Sequence, residues 1–203
     1  RFVEALRRHG MGLLIDVVPN HMGIDRNRNA WWSDVLENGP SSAYAAFFDI
    51  DWAPAKAELA NKVLLPILGD QYGTVLEAGQ LHLELADGAF SIRYYETVLP
   101  VAPASYGRIL SHRIERLQET LGDEHPSLLR LKSLITWFVT LSAPPTADPQ
   151  TPDARRKAAA AGRRRLAELV EESPEIRAFI EENLTIFNGT PGDGRQPTRA
   201  PGH

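Results

Sequence analysis

The run Leu13-Leu14-Ile15-Asp16-Val17-Val18-Pro19-Asn20-His21-Met22-Gly23 constrains the fold more than any other stretch of the chain. Five of its first six residues are aliphatic, and Ile15, Val17 and Val18 are β-branched. The apolar part is too short for a typical helix. It predicts a strand buried on both faces, of the kind found in parallel sheets. Pro19 cannot donate to a ladder, so the strand is expected to end there. Asp16, Asn20 and His21 then fall at or just past its carboxyl end. Ligand chemistry in α/β barrels and open parallel sheets gathers at that end.

The preceding residues support a parallel sheet. Phe2, Val3 and Leu6 have helical spacing, and Arg7, Arg8 and His9 follow in the last turn, where cations suit the helix dipole. Gly10 is a natural residue just past a helix end, and Gly12 loosens the approach to the strand. Helix, short glycine loop and buried strand make half of a βαβ unit. The first strand of that unit is expected to lie outside this sequence.

On residue chemistry alone, two readings of the polar groups stay open. A lone Asp in an apolar strand also serves as a hydrogen-bonded core carboxylate, and a lone His after a strand also serves as a cap. The order Asp16-Val17-Val18-Pro19-Asn20-His21 resembles the first signature of the α-amylase superfamily, D-x-x-x-N-H, at the end of the third barrel strand. Downstream come Asn29-Ala30-Trp31-Trp32-Ser33-Asp34-Val35-Leu36-Glu37-Asn38-Gly39-Pro40 and Tyr44-Ala45-Ala46-Phe47-Phe48-Asp49-Ile50-Asp51-Trp52. Lys62-Val63-Leu64-Leu65-Pro66-Ile67-Leu68-Gly69, Tyr72-Gly73-Thr74-Val75-Leu76-Glu77 and Tyr94-Tyr95-Glu96-Thr97-Val98-Leu99-Pro100 follow, with Phe187-Asn188-Gly189-Thr190-Pro191-Gly192-Asp193 near the end. Together these runs resemble the maltooligosyl trehalose synthase family within that superfamily.

The resemblance implies an α/β fold: a fragment of a (β/α)8 TIM barrel at its third strand. Into it is inserted a subdomain with a β-hairpin and a mainly helical part. The expected divisions are residues 1–23 (partial barrel helix and strand), 24–105 (inserted loop and hairpin), 106–188 (helical subdomain) and 189–203 (tail). A complete barrel needs roughly 250 residues, more than the 203 present here. The implied activity is conversion of the reducing-end α-1,4 bond of a maltodextrin into an α,α-1,1 bond. His21 would hydrogen-bond a glucose hydroxyl beside the scissile bond, Asp16 would hold the strand end in place, and Asn20 would fix the loop. Trp31 and Trp32 are the aromatic candidates for sugar contact. The nucleophile and general acid of the family lie on later strands, and no catalytic residue is expected here. No cofactor and no metal are expected. In calcium-dependent amylases the residue matching Asn20 binds the ion, but nothing in this sequence carries that over. Two alternatives stand beside this reading: an amylase-type hydrolase of the same superfamily, and a non-catalytic carbohydrate-binding or structural domain.

Composition narrows the partners. A hydrophobic content of 43% suffices for a substantial core. The net charge of −4 gives no support to nucleic-acid binding. The absence of cysteine excludes disulfides and thiolate metal sites. No apolar run approaches the roughly 20 residues of a membrane span and no signal peptide is visible, so a cytoplasmic protein without membrane partners is expected. The expected partner is a maltooligosaccharide; the oligomeric state is left open.

Several further elements are legible. Asn29 or Ser33 could cap a helix carrying Trp31, Trp32, Val35 and Leu36, ended by the turn chemistry of Asn38-Gly39-Pro40-Ser41. Trp31, Trp32, Tyr44, Phe47, Phe48 and Trp52 cluster in this loop, either as sugar platforms or as packing for a small subdomain. Asp49 and Asp51 suit turn or capping roles better than a catalytic pair. Residues 62–68 predict a short strand. Residues 69–73 predict a turn, lacking the following helix and Lys-Ser/Thr of a phosphate loop. Alternation over residues 81–95 around Ala86-Asp87-Gly88 predicts a hairpin with His82 outward.

From Tyr106 the chain should be helical. Leu110, Ile114, Leu117 and Leu121 form one stripe, stopped by Gly122-Asp123. Pro126-Ser127 opens a helix with Leu128, Leu131, Leu134, Ile135, Phe138 and Val139 on its apolar side. Residues 142–152 predict a loop. Thr151-Pro152-Asp153 and Ser173-Pro174-Glu175 are helix starts with proline at the first position. The arginines at 155, 156, 163, 164 and 165, with Lys157, share their helix with Glu168, Glu171 and Glu172, which indicates a solvated face. The tail over 194–203 is expected to be disordered. It departs from the family pattern beyond Asp193, and a truncated or frame-shifted reading is expected there.

Overall fold

In the computed structural model, the structure describes residues 1–18, 21–24, 28–141 and 152–189. Pro19, Asn20, the expected loop up to Thr151 and the expected tail lie outside the described residues. The fold mixes helices with a three-stranded antiparallel sheet in the order β1-β2-β3.

The hairpin forms where alternation and turn chemistry coincide. Strand β1 (Leu81–Ala86) pairs with β2 (Ala89–Tyr94) in the register Leu81↔Tyr94, Leu83↔Ile92 and Ala86↔Ala89. Asp87 and Gly88 both have positive φ, 50° and 72°. This backbone twist lets a two-residue turn match the twist of its strands. Leu83 and Phe90 are buried, and His82 is exposed, as its alternate position predicts. A third strand, β3 (Thr97–Pro100), which alternation does not reveal, returns after Tyr95, whose φ is 51°.

The helices follow their caps. The N-terminal helix α1 (Phe2–Arg8) carries Arg7 and Arg8 in its last turn, and Gly10 has φ 62°. Helix α2 (Ala30–Asn38) is capped by Asn29 rather than Ser33 and passes into a 3-10 turn over Gly39–Ser41. A short helix α3 (Tyr72–Glu77) begins inside the predicted turn at 69–73, where the sequence predicts none. The leucine stripe from Leu110 to Leu121 is divided between α4 (Tyr106–Leu110) and α5 (Ile114–Leu121). Helix α6 (Pro126–Thr140) buries Leu128, Leu131, Leu134 and Phe138, whereas Val139 is half-exposed. Helices α7 (Pro152–Glu172) and α8 (Pro174–Asn188) begin at their prolines. The Ser173 hydroxyl accepts from the Ile176 N–H at the start of α8.

The division between α4 and α5 makes two helices of one expected helix. Arg113, at the junction, is left-handed with φ 58°. The break is stabilised from α8. Buried Asn183 donates to the carbonyl of His112 at 2.8 Å, and Arg113 and Arg116 both reach Glu182 at 3.0 and 2.9 Å. A stripe shows which face is apolar; it does not show where the axis turns.

Two predicted strands are absent among the described residues. Residues 13–18 carry no regular secondary structure and are exposed, Leu14 to 96% and Ile15 to 68%. A strand buried on both faces needs a sheet to join and layers packed over both faces, and no described segment pairs with this one. The parallel sheet expected around it is therefore not formed here, and the sheet that does form is antiparallel. Residues 62–68 alternate exposed and half-buried side chains but join no ladder. Pro66 has no N–H to give one.

The core joins sheet and helices in one cluster. Leu83 and Phe90 from the sheet meet Tyr106, Ile109, Leu131, Phe138, Leu166, Leu169 and Ile176. Tyr106 is central. Its ring packs edge-on to Phe90 at 4.9 Å, and its oxygen accepts the Phe90 N–H at 3.0 Å. Close approach of α6 and α7 depends on Gly162, where a Cβ would come within 2.8 Å of the Phe138 ring. Each fully buried large side chain here contributes about 1.5–3 kcal/mol.

The edge of β1 is closed by a side chain. Asn188 accepts from the Leu83 N–H at 2.7 Å and donates to the Leu83 carbonyl at 3.0 Å. One amide thus satisfies both backbone groups that Leu83 would have offered to a fourth strand.

Candidate functional site

The sequence-predicted residues divide into two groups. Asp16 and His21 are exposed, and neither side chain has a hydrogen-bond partner among the described residues. Asn20 lies outside them. Trp31 and Trp32 are well placed on α2, because Asn29 caps that helix with its side-chain oxygen. The oxygen accepts from the N–H groups of Trp31 and Trp32 at 3.0 and 3.1 Å. The other end of the same amide donates to the carbonyl of Gly23 at 3.0 Å. Residues 21–24 are thereby fastened to the start of the helix that carries the two tryptophans.

The aromatic cluster has one open and one closed part. Trp31 is 44% exposed and stacks on Tyr44 at 5.2 Å with an interplanar angle of 8°. Phe47, also exposed, lies 5.4 Å from Trp31. Trp32 is half-buried and tilts against Phe48 at 5.0 Å, so its ring is largely taken up by packing. The Trp31, Tyr44 and Phe47 rings together form a packed aromatic group whose Trp31 and Phe47 members are open to solvent. Asp51 is a turn residue, accepting from the Ala53 N–H at 3.0 Å.

Behind α2 the polar groups are paired. Glu37 forms a salt bridge with Arg163 of α7, both side chains being largely buried. Burial pulls the Arg163 guanidinium below its ordinary value, and the nearby Asp34 carboxylate opposes that shift. Asp34 in turn accepts from the Ser42 hydroxyl at 2.6 Å. Asp34, Glu37 and Arg163 border an open cleft of about 680 Å³ between α2, the sheet and α7. Other basic residues of α7 are also engaged. Arg155 donates to the Leu141 carbonyl, Arg156 pairs with Asp153 at 2.6 Å, and Arg165 lies 5.0 Å over the Trp137 ring.

Sequence reasoning misses the Glu37–Arg163 pair, the Tyr44 stack and the second hydrogen bond of Asn29. Only the last leaves a trace in the sequence: asparagine, unlike serine, carries a donor that a helix cap does not use. Among the described residues no group of three or more His, Asp or Glu is placed to hold a metal ion. No described helix is long and apolar enough to cross a membrane.

The features above define a mixed helix–sheet protein with exposed aromatic rings on a helix whose cap also holds the Gly23 carbonyl. Comparison with known proteins is more particular. Over 99 residues the chain is 44% identical to a protein of Mycobacterium tuberculosis strain CDC 1551 / Oshkosh, provisionally named maltooligosyl trehalose synthase. The counterpart in strain ATCC 25618 / H37Rv, under the same name, matches equally. The match covers 44% of this chain and 12% of each relative, so the chain spans a small part of their length. The family resemblance read from the motifs is thus met by curated relatives over a partial segment. No family model matches the chain, and no solved structure matches it.

Proposed function

We propose that this chain is part of an enzyme that converts the reducing-end α-1,4 bond of a maltodextrin into an α,α-1,1 bond. The observation that carries the reading is the 44% identity to the M. tuberculosis proteins of that name. The D-x-x-x-N-H run and the exposed Trp31–Tyr44 stack support it.

In this reading residues 13–18 form the third strand of a (β/α)8 barrel once the neighbouring strands of a longer protein flank them. Their exposed aliphatic side chains are those of a strand without its partners. Residues 24–188 are an insert beside the barrel mouth, divided near residue 105. His21 donates to or accepts from a hydroxyl of the glucose beside the scissile bond. Asp16 holds the strand end, Asn20 fixes the loop, and Trp31 and Trp32 line the sugar path. The bond is broken by a retaining route, in which one carboxylate forms a glycosyl-enzyme and a carboxylic acid protonates the leaving oxygen. The two groups stand about 5–5.5 Å apart in such enzymes, and here they come from other strands. The freed glucose turns and attacks through its anomeric hydroxyl. Water must be excluded, or the product is hydrolysed glucan; the insert contributes to that enclosure. The enzyme so read is cytoplasmic and needs no metal or cofactor.

The test is incubation of the longer protein carrying this segment with maltopentaose. Loss of reducing ends without release of glucose is expected. Release of glucose with new reducing ends would instead favour a hydrolase. Binding without turnover would favour a carbohydrate-binding domain. His21→Ala should lower turnover, since removing one partner of a hydrogen bond and leaving the other unpaired costs about 1–3 kcal/mol. The 203-residue chain by itself should show no turnover above a heat-killed control.

A further inference from the structure

We infer that Asn29 is a positioning residue, tying the backbone two residues after His21 to the helix that presents Trp31. This rests on the reading above, in which both side chains meet the sugar.

A helix cap needs an acceptor only. The Asn29 oxygen supplies it, to two N–H groups at 3.0 and 3.1 Å. Those two donors also settle which way the amide is turned, because a side-chain nitrogen facing them could accept nothing. The nitrogen must then face the opposite side, where it meets the Gly23 carbonyl at 3.0 Å. This donor is surplus to forming α2. Among the described residues it is the one hydrogen bond that joins residues 21–24 to the rest of the fold. His21 is exposed, and so are residues 7–18. Gly23 is conformationally permissive, and among the described residues no other hydrogen bond restrains residues 21–24. The rigid amide plane of Asn29 thus ties the Gly23 backbone, two residues from His21, to a helix end.

Asp and Ser cap as well as Asn, and neither can make the second bond. Aspartate has no donor and would set a charge against the Gly23 carbonyl; serine is too short to serve both sides. The experiment uses the longer enzyme and measures kcat and KM for maltopentaose turnover, to either product, with the thermal midpoint. The variants are Asn29→Asp, Asn29→Ser and Asn29→Ala, each alone and combined with His21→Ala. Asn29→Asp and Asn29→Ser should melt like the parent and lose about tenfold in kcat/KM. That loss should vanish when His21 is already alanine. Asn29→Ala should show the same loss and also melt earlier. Parent-like kinetics for both cap-preserving variants would overturn the inference. So would an equal fold-loss in the His21→Ala background, which marks a merely structural role. If His21→Ala by itself leaves turnover unchanged, the reading of His21 fails first and the inference goes with it.

Discussion

Gly88 should tolerate no side chain, and the reason separates two physical effects. It sits in the hairpin turn with φ +72°, a left-handed conformation. An alanine there carries about 1–2 kcal/mol of backbone strain. A Cβ would also meet the backbone of α7, 2.9 Å from the Ala167 nitrogen and closer still to the Arg163 carbonyl oxygen. These are helix backbone atoms that cannot swing aside, so the hairpin and α7 must separate. Overpacking of this kind costs about 1–3 kcal/mol. The sum for Gly88→Ala is about 2–5 kcal/mol, a large part of the roughly 5–15 kcal/mol that holds a domain together. In urea the midpoint should fall by roughly 1–2.5 M at a mid-range slope of about 2 kcal/mol per M. Gly88→Asn distinguishes the effects, because Asn tolerates positive φ but still has a Cβ. If the clash with α7 dominates, the Asn variant is nearly as unstable as the Ala variant. An Asn variant within about 1 kcal/mol of the parent would refute the packing argument and leave only strain.

Three further outcomes are expected. Burial pushes the Tyr106 hydroxyl up to about 12, from an ordinary 10.0. The unfolded chain therefore loses this proton first, so the stability from Tyr106 is intact below pH 10 and declines towards pH 12, by about 1.4 kcal/mol per unit. Tyr106→Phe should remove that alkaline slope in pH-dependent unfolding, and by leaving the Phe90 N–H unmet should lower neutral-pH stability by about 1–3 kcal/mol; an unchanged slope would refute the assignment. Asn188→Ala should leave both backbone groups of Leu83 without their partner, costing about 1–3 kcal/mol in urea unfolding, with faster amide exchange at Leu83 as its local signature. Arg163→Met should strand the Glu37 carboxylate and destabilise by more than Arg163→Met combined with Glu37→Leu, because the double variant leaves no unpaired charge; additive losses in thermal unfolding would show that the pair is not coupled.

Local chemistry determined much of this protein by sequence alone. Asn29 before an apolar helix, Ser173-Pro174, and Asp87-Gly88 between alternating strands each specify their element within a few residues. Helix bonds close over four residues and a tight turn over two, so no distant partner is needed. Of the candidate site, the sequence exposed the D-x-x-x-N-H motif and the tryptophans. It could not show that Tyr44 stacks on Trp31 or that one amide links Gly23 to α2. The tertiary structure also decided where strands form. Residues 13–18 have the composition of a buried strand but no ladder partner among the described residues, and stay exposed. Residues 97–100, with less alternation, become a strand because β2 lies alongside to receive them. The turn at Arg113 likewise depends on Asn183 and Glu182, far downstream at separations of 71 and 69 residues. Strand pairing, axis breaks and buried ion pairs are settled between residues far apart in sequence, and only the assembled core brings those residues together.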